Sequence, residues 1–168
     1  MAAETDRSLV RAARRGRASA YDELVRRHWR AAWRAAYALT RSHASAEDAV
    51  QDAFLRAFGR LDRFDADRPF APWICRIAVN CAIDQLRRTR AHDLPEPTPE
   101  AASDDPQLWS ALAALRLERR APIVLHYLLG YSFDEVAELL EIPRGTVASR
   151  VTRGLGELRQ TMEVPSAG

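Results

Sequence analysis

A short stretch near the middle of the chain limits its architecture more than any other feature. This stretch, HDLPEPTPEAASDDP at residues 92–106, carries four prolines and five acidic residues and has no aliphatic periodicity. Proline fixes its own backbone and has no amide donor, so the segment is expected to be an extended linker. The sequence therefore predicts two small domains, at residues 5–90 and 107–162, joined by a linker at residues 91–106.

Both domains are predicted to be helical. Apolar residues recur at helical spacing on both sides of the linker, and no stretch shows the alternating pattern of a strand. The first domain is expected to have helices at about 5–15, 18–40, 45–61 and 71–89, and a polar loop, DRFDADRPF, at 62–70. The second is expected to have helices near 107–117, 119–129, 133–140 and 146–160. The predicted fold class is all-α, with two small helical domains and an acidic, proline-rich linker.

Two pairs of residues have the spacing of a capping box, which marks the start of a helix. Ser45 is followed three residues later by Asp48. Ser132 is followed three residues later by Glu135. We therefore expect helices to begin just after Ser45 and just after Ser132.

Several classes of protein are disfavoured by the composition. No apolar run approaches the ~20 residues of a membrane span, and the N-terminus lacks the apolar segment of a secretory signal, so the expected location is the cytoplasm, without membrane insertion. Walker, GxSxG and HExxH motifs and metal-ligand spacings are absent, so neither an enzyme nor a cofactor is expected. Cys75 and Cys81 would be related by a rotation of about 240° around a helix, so they cannot easily bridge, and they are expected to be buried and reduced. His28 and His126 lie within helical patterns and are expected to be core or flanking residues.

Positive charge is concentrated in the first half of the chain. Residues 1–90 hold 18 arginines against 11 acidic residues, whereas residues 107–168 hold seven of each. All 25 basic residues are arginine, which forms paired hydrogen bonds with phosphates and base edges. This distribution favours a polyanionic partner, and a solvated arginine-rich surface stays open as the alternative.

The segment SFDEVAELLEIPRGTVASRVTRG, residues 132–154, has the pattern of a helix-turn-helix. Pro143 ends the first helix, and Thr146 is expected to cap the second. The apolar residues of the second helix share one face: Val147, Val151, Leu155 and Leu158. The opposite side carries polar residues and arginines: Thr146, Ser149, Arg150, Thr152 and Arg153. Such a helix can read base edges in the major groove, with arginine preferring guanine, while the alternative is an ordinary helical hairpin with a solvated face.

The helix predicted at 71–89 is apolar nearly all round except for one polar stripe. The stripe follows helical spacing: Trp73, Arg76, Asn80, Asp84 and Arg87. An aromatic ring, an amide and arginines in a row suit single-stranded nucleic acid through stacking, hydrogen bonds and phosphate contacts. An interhelical polar stripe, with Asp84 paired to Arg87 or Arg88, is equally compatible with the pattern.

Three segments, taken together and in order, resemble a known family. AEDAVQDAFLRAF, PWICRIAVN and IPRGTVASR are similar to segments of the sigma-70 family of bacterial RNA polymerase initiation factors. The chain looks like the small extracytoplasmic-function (ECF) group, which keeps only sigma regions two and four. The resemblance spans about residues 5–160.

The resemblance implies three sets of functional residues. A polymerase-binding set lies on the third helix: Asp48, Gln51, Asp52 and Arg56. A minus-10 set lies in and after the loop at 62–70: Phe64, Asp65, Trp73, Arg76, Asn80, Arg87 and Arg88, with Arg90 beside nearby phosphates. A minus-35 set lies in the last helix and the turn before it: Arg144, Thr146, Ser149, Arg150 and Arg153. In this family the loop, with Asn80 behind it, would hold a base flipped out of the non-template strand, and the linker would run toward the RNA exit channel.

The partners implied by the resemblance are bacterial core RNA polymerase, promoter DNA and an anti-sigma factor, with catalysis left to the polymerase. The sequence departs from the family at Glu141, where glycine is common, and at Ala148, where a basic residue is usual. Gly154 and Gly156 are expected to weaken the last helix by about 1 kcal/mol each relative to alanine. The alternative function is a helix-turn-helix repressor or activator with an N-terminal sensor bundle, which would leave AEDAVQDAFLRAF and the polar stripe unexplained.

Overall fold

The backbone is helical on both sides of the predicted linker. A computed structural model describes residues 4–88 and 105–163, and in these two ranges the chain forms eight α-helices and no strand. The all-α class is therefore confirmed. Most of the predicted linker, and Arg90, lie outside the described residues. The described residues divide into two compact units, one of residues 4–36 with 44–88, the other of residues 37–43 with 105–163.

Four helices precede residue 89. They are α1 (Asp6–Arg14), α2 (Ala18–Thr40), α3 (His43–Phe58) and α4 (Phe70–Arg88). The hydroxyl of Thr5 caps α1 by accepting a hydrogen bond from the Ser8 amide at 3.2 Å. Between α3 and α4 a 3₁₀ turn (Leu61–Arg63) places Leu61 in the core. All four helices lie within three residues of their predicted positions.

The predicted start of α3 at Ser45 is wrong. The helix begins at His43, so Ser45 lies within its first turn. The reason is the tightness of the preceding turn. Arg41 adopts a left-handed conformation, with φ of 57°, and its amide donates to the Tyr37 carbonyl at 2.8 Å. The chain thus reverses within two residues and re-enters a helix earlier than the capping pattern suggests.

Small residues dominate the core of the first unit. The fully buried side chains on α3 include Ala46, Ala49 and Ala53, which let neighbouring helices approach closely. Aromatic rings fill the wider spaces: Trp29 stacks on Phe54 with ring centroids 6.1 Å apart. This packing fixes which faces of α3 and α4 remain outside.

The second unit contains four helices. They are α5 (Pro106–Ala114), α6 (Leu117–Ile123), α7 (Phe133–Leu140) and α8 (Arg144–Glu163). The helix expected at 119–129 is divided, because α6 continues as a π-helical turn (Val124–Leu128) just after Pro122. Proline has no amide to donate to the preceding turn, which accounts for the change of helix type there. Helix α8 packs against α5, α6 and α7.

The helix-turn-helix is present. The Ser132 hydroxyl accepts from the Glu135 amide at 3.2 Å, and the Glu135 carboxylate accepts from the Ser132 amide at 2.9 Å, which confirms this capping box. The expectation that Thr146 caps α8 is wrong, because the helix begins at Arg144. The Pro143 carbonyl already accepts hydrogen bonds from the amides of Thr146 and Val147, at 2.9 and 3.1 Å.

Glu141, at the bend of the helix-turn-helix, has φ of 55° and ψ of 42°. A left-handed conformation is unfavourable for a residue with a Cβ atom, and glycine adopts it without that penalty. We expect Glu141→Gly to raise the free energy of unfolding of the second unit by about 0.5–1 kcal/mol. Glu138→Gly, in the middle of α7, should lower it by about 1 kcal/mol. Hydrogen exchange of the α7 and α8 amides measures both, and a lower stability for Glu141→Gly would contradict the prediction.

The two glycines of α8 occupy different environments, so the expectation that both weaken the helix needs correction. A Cβ atom at Gly154 would lie 2.6 Å from Ile123 Cδ1 and 3.3 Å from Arg119 Cβ. Gly154 therefore allows α6 and α8 to approach closely. At Gly156 a Cβ atom would meet nothing within 4 Å, so the original expectation is retained there.

Candidate functional site

Helix α8 buries one face and exposes the other, as its sequence predicts. Val147 and Val151 are buried, whereas Ser149 and Arg153 are exposed. The Ser149 hydroxyl donates to the Thr146 carbonyl at 3.0 Å, so its oxygen keeps lone pairs that can accept from a ligand. The outer face of α8 thus offers a hydrogen-bonding and cationic surface.

The arginines along this face differ in their partners. Arg144 lies 3.0 Å from Asp134 of α7, an ion pair between two largely exposed side chains. Within residues 105–163 no carboxylate forms an ion pair with Arg150 or Arg153. The guanidinium groups of Arg150 and Arg153, in the second and third turns of α8, are therefore available for phosphates or base edges, and Arg144 is partly neutralised.

The polar stripe of α4 is at least partly accessible to solvent along its length. Trp73 and Asn80 are half-buried, and Arg76 and Arg87 are exposed. The Oδ1 atom of Asn80 is buried, and no group among the described residues hydrogen-bonds to it. An unpaired buried acceptor is unfavourable, so this amide is a candidate for a bond to a ligand.

Asp84, in the same stripe, has an interhelical partner. Its carboxylate lies 3.4 Å from the guanidinium of Arg56 on α3, so this part of the stripe is interhelical, as the alternative interpretation held, but the partner is Arg56 and not Arg87 or Arg88. Arg87 and Arg88 lie in the last turn of α4 and are exposed. Cations there interact favourably with the helix dipole and extend the basic surface beyond the stripe.

The loop at residues 62–70 is folded around an aromatic cluster. Phe64, only 6% exposed, has its ring centroid 4.4 Å from that of Trp73 and 5.6 Å from that of Phe70. Its ring therefore supports the loop from inside. Asp65 is exposed, and its carboxylate accepts from the Asp67 amide at 3.0 Å.

The outer face of α3 carries all four residues of the predicted polymerase-binding set. Asp48, Gln51 and Arg56 are exposed and Asp52 is half-buried. The sequence analysis missed Leu55, which lies among them and is 72% exposed. Its position seven residues after Asp48 places it on this face, and that spacing was the available signal.

The cysteines and histidines provide no further site. Both cysteines are free, Cys81 is buried and Cys75 is half-buried rather than buried. Burial raises the pKa of both thiols, which keeps them protonated and weakly nucleophilic. His28 has Nε2 2.8 Å from Asp6 Oδ2, and His126 has Nδ1 2.6 Å from the Tyr131 carbonyl oxygen, so both are packing residues as expected.

The described ranges contain neither a metal-ligand cluster nor a helix that could cross a membrane. Within residues 4–88 and 105–163 no group of three or more His, Cys, Asp or Glu side chains could hold a metal ion. Across the same residues, no helix combines the length and the apolar character that crossing a membrane requires.

A helix-turn-helix with a cationic outer face in the second unit, and an aromatic and amide stripe on α4 of the first unit, define a DNA-binding protein of the all-α class. Residues 24–92 match the family Sigma-70 region 2, and residues 106–158 match Sigma-70, region 4. The ECF RNA polymerase sigma factor SigM of Mycobacterium tuberculosis H37Rv is 34% identical over 98% of this chain and 88% of its own. SigW of Bacillus subtilis is 31% identical over 70% of this chain and 75% of its own.

Solved structures of two similar proteins have the same fold as this chain. The structure of CnrH in complex with the cytosolic domain of CnrY is 32% identical, covers 97% of this chain and all of that chain, and has a TM-score of 0.60. The sigma factor RpoE of Bartonella quintana, solved with the anti-sigma factor NepR, shares the fold with a TM-score of 0.59 at 24% identity. The chain belongs to the ECF group of the sigma-70 family of RNA polymerase initiation factors. Because the chain belongs to this family, its function is that of an initiation factor, and the alternative of a helix-turn-helix repressor or activator is not supported.

Proposed function

We propose that this sigma factor directs core RNA polymerase to promoters by reading two DNA elements with its two units. In this proposal residues 5–90 recognise and melt the minus-10 element, residues 107–162 recognise the minus-35 element, and residues 91–106 join them. The observation that carries the proposal is the outer face of α8, where Ser149 and Arg153 are exposed opposite the buried Val147 and Val151.

In the minus-35 complex, α8 lies in the major groove. Arg153 donates to the O6 and N7 atoms of a guanine, and Ser149 bonds a neighbouring base edge. The flanking cations Arg144 and Arg150, with Thr146 at the first turn, bind phosphates and set the register of the helix on the duplex. Removal of one bidentate arginine of this kind reduces affinity by about 1–3 kcal/mol and relaxes specificity at one position.

In the minus-10 complex, a base leaves the duplex and enters the site formed by the loop at 62–70 and α4. The unpaired Oδ1 atom of Asn80 supports this assignment, since a base amino group is a suitable donor for it. Trp73 offers an aromatic surface, and Asp65, which follows Phe64 in the loop, offers an exposed acceptor. Phe64 supports the loop from below, and the cations of α4 (Arg76, Arg87 and Arg88) follow the phosphates.

The polymerase contacts the outer face of α3, through Asp48, Gln51, Asp52 and Arg56. A protein partner that covers this face and α8 would hold the factor inactive. An anti-sigma factor is proposed as that partner, since the sigma factor RpoE was solved with the anti-sigma factor NepR, and CnrH was also solved with a protein bound, the cytosolic domain of CnrY. All of these encounters take place where the polymerase is, so the proposed location is the cytoplasm.

The test is promoter-specific initiation with purified components. The chain is mixed with bacterial core polymerase and a library of genomic fragments, and transcript start sites are mapped. We expect discrete starts that share upstream elements, lost in the double variant Asp48→Arg/Asp52→Arg. Arg153→Ala should change preference only in the minus-35 element and Asn80→Ala only in the minus-10 element. Arg159→Ala, an exposed arginine later in α8, is the matched control and should change neither. Tight binding of the chain alone to duplex DNA, with no stimulated starts, would overturn the proposal.

Asp134 restrains Arg144, and its removal should therefore strengthen DNA binding. We expect Asp134→Ala to increase the affinity of the holoenzyme for a minus-35 duplex about 2–5-fold, because a surface ion pair is worth up to about 1 kcal/mol and its acid also repels phosphate. Fluorescence anisotropy at low and moderate salt measures the change, which should shrink as salt rises. An unchanged affinity at low salt would mean that Arg144 does not approach the DNA.

A further inference from the structure

A side chain of helix α1 forms hydrogen bonds with the backbone at the start of the loop at residues 62–70. The guanidinium of Arg14, at the last turn of α1, donates from Nε and Nη2 to the Leu61 carbonyl at 3.1 and 3.0 Å. Its Nη2 group also donates to the Phe64 carbonyl. One planar side chain therefore ties together the two ends of the 3₁₀ turn from which the loop departs. Charged donors form the stronger class of hydrogen bond, so this connection constrains the loop more than a neutral contact would.

A second contact from α1 reaches the far part of the loop. Arg7 lies two turns before Arg14, and its guanidinium is 2.8 Å from the carboxylate of Asp67. Both partners are about half exposed. Between α1 and the loop lies an open cleft of about 590 Å³, whose lining includes Arg7, Asp67 and Phe70. The helix thus forms one wall of a cleft whose other wall is the loop.

Helix α1 is itself fixed on α2. The Asp6 carboxylate lies 3.2 Å from Arg27 and 2.8 Å from His28. At the other end of α1, the Tyr21 hydroxyl donates to the Ala13 carbonyl at 2.7 Å. A helix anchored at both ends can transmit rigidity to the loop, because the loop has few buried contacts of its own beyond Phe64 and Phe70.

We propose that α1 is a positioning element for minus-10 recognition, in which Arg14 and the Arg7–Asp67 pair hold the loop at residues 62–70 in the shape that reads the flipped base. This inference rests on the proposed reading of the minus-10 element by that loop. It concerns a helix outside the segment that matches Sigma-70 region 2, which begins at residue 24. Arg14 touches no base in this scheme, and it acts through the Phe64 carbonyl.

The Phe64 residue connects α1 to the reading face. Its carbonyl is held by Arg14, and its ring lies 4.4 Å from Trp73, the first residue of the α4 stripe. Asp65, the next residue, is exposed and orients the Asp67 amide. Release of the carbonyl would free the loop to sample other conformations, so part of the binding energy would be spent on ordering it.

The experiment measures how well the holoenzyme discriminates between single-stranded oligonucleotides. The probe is a non-template strand with the minus-10 element mapped in the initiation assay, compared with the same strand carrying one substitution in that element. We expect Arg14→Ala to reduce the ratio of the two affinities at least fivefold and Arg14→Lys to restore most of it. Arg11→Ala, an exposed arginine of the same helix, is the matched control and should leave the ratio unchanged. Affinity for core polymerase should stay within twofold for all three variants.

Arg7 and Asp67 are exposed, so charge reversals at these positions test the proposal even if Arg14→Ala impairs folding. Arg7→Asp and Asp67→Arg should each lower discrimination, and the double exchange should recover it, a result that general destabilisation would not produce. The proposal is overturned if Arg14→Ala and the two charge reversals all discriminate as Arg11→Ala does while Asn80→Ala loses discrimination. If Asn80→Ala and Asp65→Ala also leave the ratio unchanged, the proposed reading of the minus-10 element fails as well, and this inference fails with it.

Discussion

Replacement of Leu55 by aspartate should weaken binding of core RNA polymerase at least about 30-fold and leave the first unit folded. Leu55 is 72% exposed, so the variant removes no core contact. Leu55 lies on the face proposed to bind the polymerase, and burial of a leucine side chain in an interface contributes about 1.5–3 kcal/mol. A carboxylate at the same position would also be desolvated beside Asp52 without a partner. About 2 kcal/mol corresponds to the stated 30-fold change.

The measurement is the dissociation constant of the complex between the chain and core polymerase, with circular dichroism as the check on folding. Met162→Asp makes the same kind of change at an exposed position near the end of α8 and should leave the dissociation constant unaltered. Leu55→Ala should give an intermediate loss. Wild-type affinity in Leu55→Asp would show that the polymerase does not cover the outer face of α3.

Alanine should have opposite effects at the two glycines of α8. Gly154→Ala places a Cβ atom 2.6 Å from Ile123 Cδ1 and 3.3 Å from Arg119 Cβ, so the buried isoleucine side chain must shift and Arg119 must move slightly to accept it. Overpacking of this kind reduces stability by about 1–3 kcal/mol. Gly156→Ala fills open space and removes the helix penalty of glycine, so it should raise stability by about 0.5–1 kcal/mol.

The free energy of local opening, measured by hydrogen exchange of the α6 and α8 amides, reports on both variants within the second unit. The double variant Gly154→Ala/Ile123→Val tests the cause, because the shorter side chain lacks the atom that clashes. It should be more stable than Gly154→Ala alone. Equal stabilisation by the two single alanine variants would contradict the close approach of α6 to α8.

The periodic features of the sequence were predicted well because each is set by neighbours along the chain. The apolar face of α8, the capping box at Ser132 and the polar face of α3 depend on spacings of three and four residues. The same reasoning failed at Ser45 and Thr146, where a cap-like residue lies inside a helix that starts earlier. At both places the tightness of the preceding turn, and not the side chain, fixes where the helix begins.

By itself, the sequence determined the all-α class, the helix-turn-helix and which faces of α3, α4 and α8 are polar, because these follow from local periodicity. The assignment of those faces to polymerase and DNA came from the resemblance to the sigma-70 family. Only the tertiary structure decided the pairing of Asp84 with Arg56, the need for glycine at Gly154 and the hold of Arg14 on the loop. These contacts join residues 28, 31 and 47 positions apart, counted from Asp84 to Arg56, Gly154 to Ile123 and Leu61 to Arg14. Local patterns do not show which residues so far apart in the sequence come into contact. That depends on the angles and separations of packed helices, which are set by side chains that interlock from different parts of the chain.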